Sequence, residues 1–493
     1  MGLIGIKKLS FKYDDQEEPL FDNVNLNLDS SWRLGLIGRN GRGKTTFLNI
    51  LRGNLDYKGK IDYKQVFTYY PYKVHDVDNY TLYALQQVRN FEEWQLEREL
   101  NLMNVDLNLL WKPFKELSGG EKAKILLALC FIESDSFPLL DEPTNHLDAE
   151  GRREVAQYLL KKSGFILVSH DSQILNTVCN HMLSIENRNI YLYHGNYKTF
   201  EEEKKRRDEK NLKDNIQIKK EIGMLTSSLN QKKQWGNKRE KEKNERKDNA
   251  KKDKGFEGAR AARLMKKMNN IKREVNHKIQ DKKGLLNNIE FTDKLSLNFN
   301  PTRKEKLLRL QDFSLSYGND KLFTPISFEL KKNDCIALVG ENGIGKTSLI
   351  SAILGDFQGK VIGSLHKAKD LKISLVRQEF VYRGSLKEFS QKNKLNFNDF
   401  LNNLHKLGFK RSMFNKKIEH MSSGQQKRVA LAKSLTEDAE LYIWDEPLNY
   451  LDIYNKQQLQ EMILEISPTM VLIEHDADFI NAIADKKIEL EKD

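Results

Sequence analysis

At 493 residues the chain is long enough for two to four domains, each with its own core, and 31% charged against 39% hydrophobic residues is the balance of a folded soluble protein. No apolar run approaches the roughly 20 residues needed to cross a bilayer; the N-terminus lacks the apolar stretch and cleavage site of a secretory signal, and Ile6 stands where myristoylation needs Ser or Thr. Three scattered cysteines, Cys130, Cys179 and Cys335, argue against a disulfide framework or a zinc site and are expected as buried thiols in a reducing cytoplasm.

Residues 3–37 read as short strands, with alternation at Leu26-Asn27-Leu28 and a buried-looking run at Leu34-Gly35-Leu36-Ile37. Directly after that run comes Gly38-Arg39-Asn40-Gly41-Arg42-Gly43-Lys44-Thr45-Thr46, a P-loop. Gly38, Gly41 and Gly43 let the backbone aim N–H groups at phosphate oxygens, with Asn40 and Thr46 in the same cradle. Lys44 reaches the β/γ-phosphates and the Thr45 hydroxyl suits Mg2+. Leu117-Ser118-Gly119-Gly120-Glu121 then opens a helix expected over Lys122–Phe131, and Ser118 with Gly120 makes a second phosphate-binding helix start. A strand ends in Asp141-Glu142, where Asp141 suits a magnesium role and Glu142 is placed to orient or deprotonate water. Pro138 at the start of that strand forgoes one ladder hydrogen bond. A further strand, Phe165–Val168, delivers His170 to the same sheet edge, within reach of a γ-phosphate.

The next stretch holds all the excess charge. Residues 201–290 contain 28 Lys+Arg and 16 Asp+Glu, a net of +12, which equals the net charge of the whole chain; the rest is formally neutral. That concentration points to a polyanionic partner, nucleic acid or an anionic membrane surface. Ile218, Ile222, Leu225 and Leu229 step by 4, 3, 4, and so do Leu264, Met268, Ile271 and Val275. This spacing makes a narrow coiled-coil seam, so two long helices are expected to fold back on each other, with a tip near 235–263. A first arm of about 45 residues would reach roughly 65 Å. Lys251, Lys252, Lys254, Arg260 and Arg263 are the candidates for nucleic-acid backbone contact. Trp235 and Phe256 are placed either to stack on bases or to clasp the tip together.

After Pro301 the first set of motifs repeats. Tyr317 matches Tyr13. A second P-loop carries Gly340, Asn342, Gly343, Gly345, Lys346, Thr347 and Ser348. Gln378, Ser422, Gly424, Asp445, Glu446 and His475 complete the set. The offsets are nearly constant: 304 for Tyr13/Tyr317, 302 for Lys44/Lys346, 304 for Ser118/Ser422 and Glu142/Glu446, and 305 for His170/His475. The chain is an internal duplication. Ser423 stands where the first half has Gly119, and Tyr72 where the second half has Gln378, a phenol in place of an amide.

P-loop, LSGGE signature, DEPTNHLD and switch histidine together resemble the ABC ATPases. The resemblance implies ATP and Mg2+ as ligands. Tyr13 and Tyr317 would stack on adenine; Thr45, Asp141, Thr347, Gln378 and Asp445 would serve the metal. In that family two such domains close head to tail. One composite site would pair Lys44, Glu142 and His170 with Ser422 and Gly424; the other would pair Lys346, Gln378, Glu446 and His475 with Ser118 and Gly120. With no membrane segments and a charged hairpin between the motors, the chain resembles the ABC-F class. In GLIGRNGRGKTT, GARAARLMK and AELYIWDEPLNYLD it is similar to the Lsa-type antibiotic-resistance proteins. The fold implied is α/β: two tandem ABC-type P-loop ATPase domains, 1–200 and 296–493, joined by a helical hairpin, 201–295. The resemblance further implies a cytoplasmic monomer with the 70S ribosome, its 23S rRNA and P-site tRNA as partners. It would protect the peptidyl-transferase centre from lincosamides, streptogramin A and pleuromutilins. Alternatives are a translation factor that relieves stalled ribosomes and the ATPase part of an efflux pump.

Overall fold

The computed structural model describes residues 2–14, 18–133, 135–145, 147–245, 294–318, 320–341, 343–378 and 382–492. In the first half β1 (Leu3–Phe11), β2 (Phe21–Asp29), β3 (Arg33–Gly38), α1 (Lys44–Leu51), β4 (Lys58–Asp62) and β5 (Val66–Tyr70) lead into a helical portion. That portion holds α2 (Thr81–Val88), α3 (Glu93–Leu102) and α4 (Gly119–Cys130). The half continues through β6 (Ser136–Asp141), α5 (Ala149–Leu160), β7 (Phe165–Val168), α6 (Ser172–Val178), β8 (His181–Glu186) and β9 (Asn189–His194). Its main sheet runs β5-β6-β7-β3-β8-β9 and is parallel except for the β8–β9 hairpin; an antiparallel sheet β2-β1-β4 covers it. All four residues of β7 are buried, as expected of a strand covered on both faces, whereas β2 alternates between buried and exposed.

The second half repeats this plan with β10 (Lys306–Tyr317), β11 (Asp320–Lys321), β12 (Ile326–Lys331), β13 (Cys335–Val339), α8 (Lys346–Leu354), β14 (Lys360–Lys367) and β15 (Ile373–Val376). Then come α9 (Leu386–Lys392), α10 (Phe397–Lys406), α11 (Ser423–Thr436), β16 (Leu441–Asp445), α12 (Ile453–Ile466), β17 (Met470–Ile473), α13 (Ala477–Ile483) and β18 (Lys486–Glu489). The parallel sheet is β15-β16-β17-β13-β18. Each half has one apolar core between its two sheets and another between the parallel sheet and the helical portion. The three cysteines are free and buried. The described residues of 1–200 and 292–493 form one packed unit, separate from the arm that begins at Glu201.

The arm begins as one helix, α7 (Tyr197–Glu245), of 49 residues. Among its described side chains Asn215 is buried and Ile218 and Ile222 are half-buried, while Ile216 and Met224 are exposed. The second seam, Leu264 to Val275, and the contact candidates Lys251, Lys252, Lys254, Phe256, Arg260 and Arg263 lie outside the described residues; Trp235 lies in the helix but its side chain is also outside them.

Candidate functional site

Both halves gather their polar motifs at the C-terminal edge of the parallel sheet, where anion sites in such sheets belong. In the first half β3 ends at Gly38, the loop turns through Gly41 (φ 78°) and Gly43 (φ 98°), and α1 starts at Lys44. Gly43 is needed twice over: its backbone is left-handed, and a Cβ there would lie 2.7 Å from Leu20 Cδ2 and 2.9 Å from Phe21 Cζ. Lys44 Nζ folds back onto Gly38 O (2.7 Å) and Asn40 Oδ1 (3.3 Å), and Thr45 Oγ1 donates to Asp141 Oδ2 (2.8 Å). Tyr13 shares a hydrogen bond with Thr46 Oγ1 at 2.9 Å. The second half matches closely. Lys346 Nζ donates to Gly340 O (2.7 Å) and Glu341 O (2.9 Å), and Thr347 Oγ1 to Asp445 Oδ2 (2.9 Å). Tyr317 is exposed and tilted against Phe357, Ser348 is half-buried on α8, and Asn342 lies outside the described residues.

The signature segments start helices by one device. Ser118 Oγ accepts from Glu121 N while the Glu121 side chain accepts from Ser118 N, and Ser422 and Gln425 do the same on α11. This capping box starts α4 at Gly119, three residues before the expected Lys122. Gly120 lies in the first turn, and Gly424 is tight against Tyr450, whose Cβ would stand 3.2 Å from an added Cβ.

The two halves meet at this edge. Asn40 N donates to Asp452 Oδ2 (2.7 Å) and Asn40 Nδ2 to Tyr450 O (3.0 Å). Asp452 is at the same time the N-cap of α12. The equivalent residues Gln173 and Asp478, on α6 and α13, meet at 2.9 Å. A cavity of about 290 Å³ lies between Arg39–Arg42 of one half and Lys406, Lys410 and Tyr454 of the other. Burial pushes the Lys44 ammonium down, and Asp452 from the opposite half leads the groups that oppose this.

The glutamates share a backbone conformation and differ in surroundings. Glu142 (φ 56°) and Glu446 (φ 49°) both sit in the left-handed region, a strained placement that tends to mark functional sites. His170 Nε2 lies 3.0 Å from Glu142 Oε1, yet the approach lacks hydrogen-bond alignment and that oxygen has no hydrogen-bond partner among the described residues. Burial pushes the Glu142 carboxyl up to about 8 and holds His170 well below the usual histidine range. Glu446 instead accepts from Gln378 Nε2 (3.0 Å) and Asn449 Nδ2 (2.6 Å), with His475 Nε2 3.7 Å away. Burial pushes Glu446 up, but the neighbouring His475 and the hydrogen bonds from Gln378 and Asn449 outweigh it and leave the carboxyl low.

Several groups at the site escape a motif search. Tyr72 does occupy the position of Gln378, since Tyr70 and Val376 pair with equivalent residues of β6 and β16. Its ring packs into the core, and Tyr69 one strand face away donates to Asp141 Oδ2 (3.0 Å) under the guanidinium of Arg52 (4.4 Å to the ring). The clue was the run Thr68-Tyr69-Tyr70, in which alternate side chains of a strand must face opposite ways. Asp452 and Lys427 are the other additions. Pro138 lies inside β6, before its pairing with β7 begins at Leu139.

The donor sets Thr45 with Asp141 and Thr347 with Asp445 are hard oxygen ligands, which fit Mg2+. Gln378 turns its amide nitrogen to Glu446, leaving the carbonyl oxygen as its donor for a cation.

The sequence model described as "ABC transporter" matches residues 21–145 and 323–449. The ribosome protection protein VmlR of Bacillus subtilis is 27% identical over 488 residues, covering 97% of this chain and 85% of the relative. The ATP-binding protein Uup of Caulobacter vibrioides is 25% identical over 499 residues, covering 97% and 76%. Among solved structures, archaeal ribosome recycling factor aABCE1, crystallised with the archaeal stalk protein aP1, superposes with a TM-score of 0.64 at 18% identity, covering 99% and 88%. No helix among the described residues is long and apolar enough to cross a membrane.

Proposed function

The chain belongs to the ABC transporter family and is an ATPase of the ABC-F class, and from that premise we propose that its ATP-bound, closed form occupies the ribosome and relieves antibiotic binding at the peptidyl-transferase centre. One observation carries this reading. Two complete ATP-site motif sets face each other across Asn40–Asp452 in a single chain, and the segment between them, 201–290, holds the entire net charge of +12. A basic arm of this kind gains affinity for rRNA by releasing counterions from phosphates, so binding weakens steeply with salt. The likeness to a ribosome protection protein along nearly the full length supports the same partner. Lincosamides, streptogramin A and pleuromutilins are the drug classes proposed, and the P-site tRNA and 23S rRNA the contacts of the arm tip.

In the proposed cycle the P-loop amides and Lys44 or Lys346 bind the phosphates, Ser422 or Ser118 of the opposite half completes each site, and adenine rests on Tyr13 or Tyr317. Glu142 and Glu446 orient the attacking water and take its proton, while His170 and His475 hold the γ-phosphate. Mg2+, held through Thr45 and Asp141 or Thr347 and Asp445, would neutralise charge on the phosphate oxygens. Closure depends on nucleotide in both sites, and hydrolysis releases the ribosome.

The test is sedimentation of the Glu142→Gln/Glu446→Gln variant with 70S ribosomes, with and without ATP, over a salt series. Pelleting that requires ATP and is lost as salt rises is the expected result. No pelleting at low salt overturns the ribosomal reading.

A further inference from the structure

Lys427 stands where the first half has Ala123, 304 residues earlier. Ala123 belongs to an apolar cluster and is 4% exposed; Lys427 is 3% exposed, so an ammonium has been put into the same kind of interior. A buried lysine is costly unless its protons are used. Here they are. Nζ donates to Arg377 O and to Asp445 O, both at 3.0 Å.

Those two carbonyls sit at the ends of neighbouring parallel strands, β15 and β16, which pair as far as Val376 and Trp444. Each belongs to the residue just before a group of the second ATP site. Gln378 follows Arg377, Glu446 follows Asp445, and the two side chains meet at 3.0 Å. Lys427, Arg377, Gln378, Glu446 and Asp445 therefore form a closed ring of covalent and hydrogen bonds. Lys427 also rides on α11, whose first turn is capped by Ser422. An ammonium suits the task because it has three donors and no acceptor.

We propose that Lys427 is a positioning residue of the second ATP site: it locks the backbone before Gln378 to the backbone before Glu446, and fastens the helix that starts at Ser422 to that pair. The first half lacks this tie, and its Asp141 is instead steadied by Tyr69. The proposal rests on the reading of Glu446 as the group that orients water.

The experiment is single-turnover ATP hydrolysis by the full chain carrying Glu142→Gln, so that the second site supplies the signal. Adding Lys427→Met should slow that turnover roughly 10- to 100-fold, the effect of misplacing a catalytic group by about an ångström. ATP affinity should hold, and the variant should remain folded at the assay temperature even though two buried carbonyls lose their donor. Lys427→Gln, whose amide also donates two N–H bonds, should recover a large part of the rate. Full rate in Lys427→Met overturns the proposal, as does a loss explained by weaker ATP binding or by unfolding at the assay temperature, or a glutamine variant no better than methionine. Glu142→Gln/Glu446→Gln tests the underlying reading: hydrolysis surviving there overturns the assignment of Glu446, and the proposal with it. Hydrolysis abolished there, with full rate in Lys427→Met, overturns the proposal alone.

Discussion

Glu142 and Glu446 stand at the same left-handed turn after equivalent strands, yet one is crowded and the other is wired. Glu142 has an oxygen without a hydrogen-bond partner among the described residues and a carboxyl pushed up to about 8 by burial. Glu446 receives two amides and stays low. Duplicated motifs thus do not give duplicated sites. Around these equivalent carboxylates the two halves differ at Tyr72 against Gln378 and at Ala123 against Lys427.

The largest effect should appear when each site is isolated. Single-turnover hydrolysis in Glu142→Gln reads the second site and in Glu446→Gln the first. The second should be faster by roughly 10-fold, since Glu446 is held in place by Gln378 and Asn449 whereas Glu142 has an oxygen with no hydrogen-bond partner among the described residues. Equal rates would erase the functional side of the contrast. Next is the bridge between halves. Asp452→Ala removes the acceptor of Asn40 N and the cap of α12. It should weaken ATP-dependent closure about 10-fold, measured as ATP retention by Glu142→Gln/Glu446→Gln. Asp148→Ala should cost less, because Asp148 caps α5 and only influences Lys346 through its charge.

Tyr72→Gln would make this position alike in the two halves. It should lower stability by about 1–3 kcal/mol, because a half-buried ring is lost from the core, and it should not speed the first site. A gain in first-site turnover would show that Tyr72 itself sets the difference. The smallest effect lies at the base of the sheets. Trp32 stacks on His181 (3.9 Å, 12°) where the second half has Asp334 and Lys486 paired at 3.3 Å. Burial and then His194 lower His181, so the folded state binds its proton less readily than the unfolded chain. Its contribution is therefore full above the ordinary histidine range and lost as pH falls through it. Melting scans from about pH 7.5 to about pH 5.5 should drop roughly 1–2 °C less in His181→Gln than in the parent.

The fold was legible because its signals are local. Apolar runs such as Phe165–Val168 mark strands covered on both faces, and glycine spacing marks the loops that turn into α1 and α8. Ser118 with Glu121 has the spacing of a capping box, and α4 accordingly starts at Gly119, three residues before the expected Lys122. The site's finer wiring was not legible. Tyr69 reaches Asp141 across 72 positions, and Asn40 reaches Asp452 across 412. No local period encodes such pairings. Lys427 belongs to no motif, and only the packed structure reveals that its position is buried and its protons are taken.

The most direct test of the central claim is the dissociation rate of a labelled lincosamide from 70S ribosomes saturated with the Glu142→Gln/Glu446→Gln variant and ATP. The account predicts faster drug loss than from ribosomes alone, abolished when ATP is left out. An unchanged rate on ribosomes that demonstrably carry the protein would contradict it.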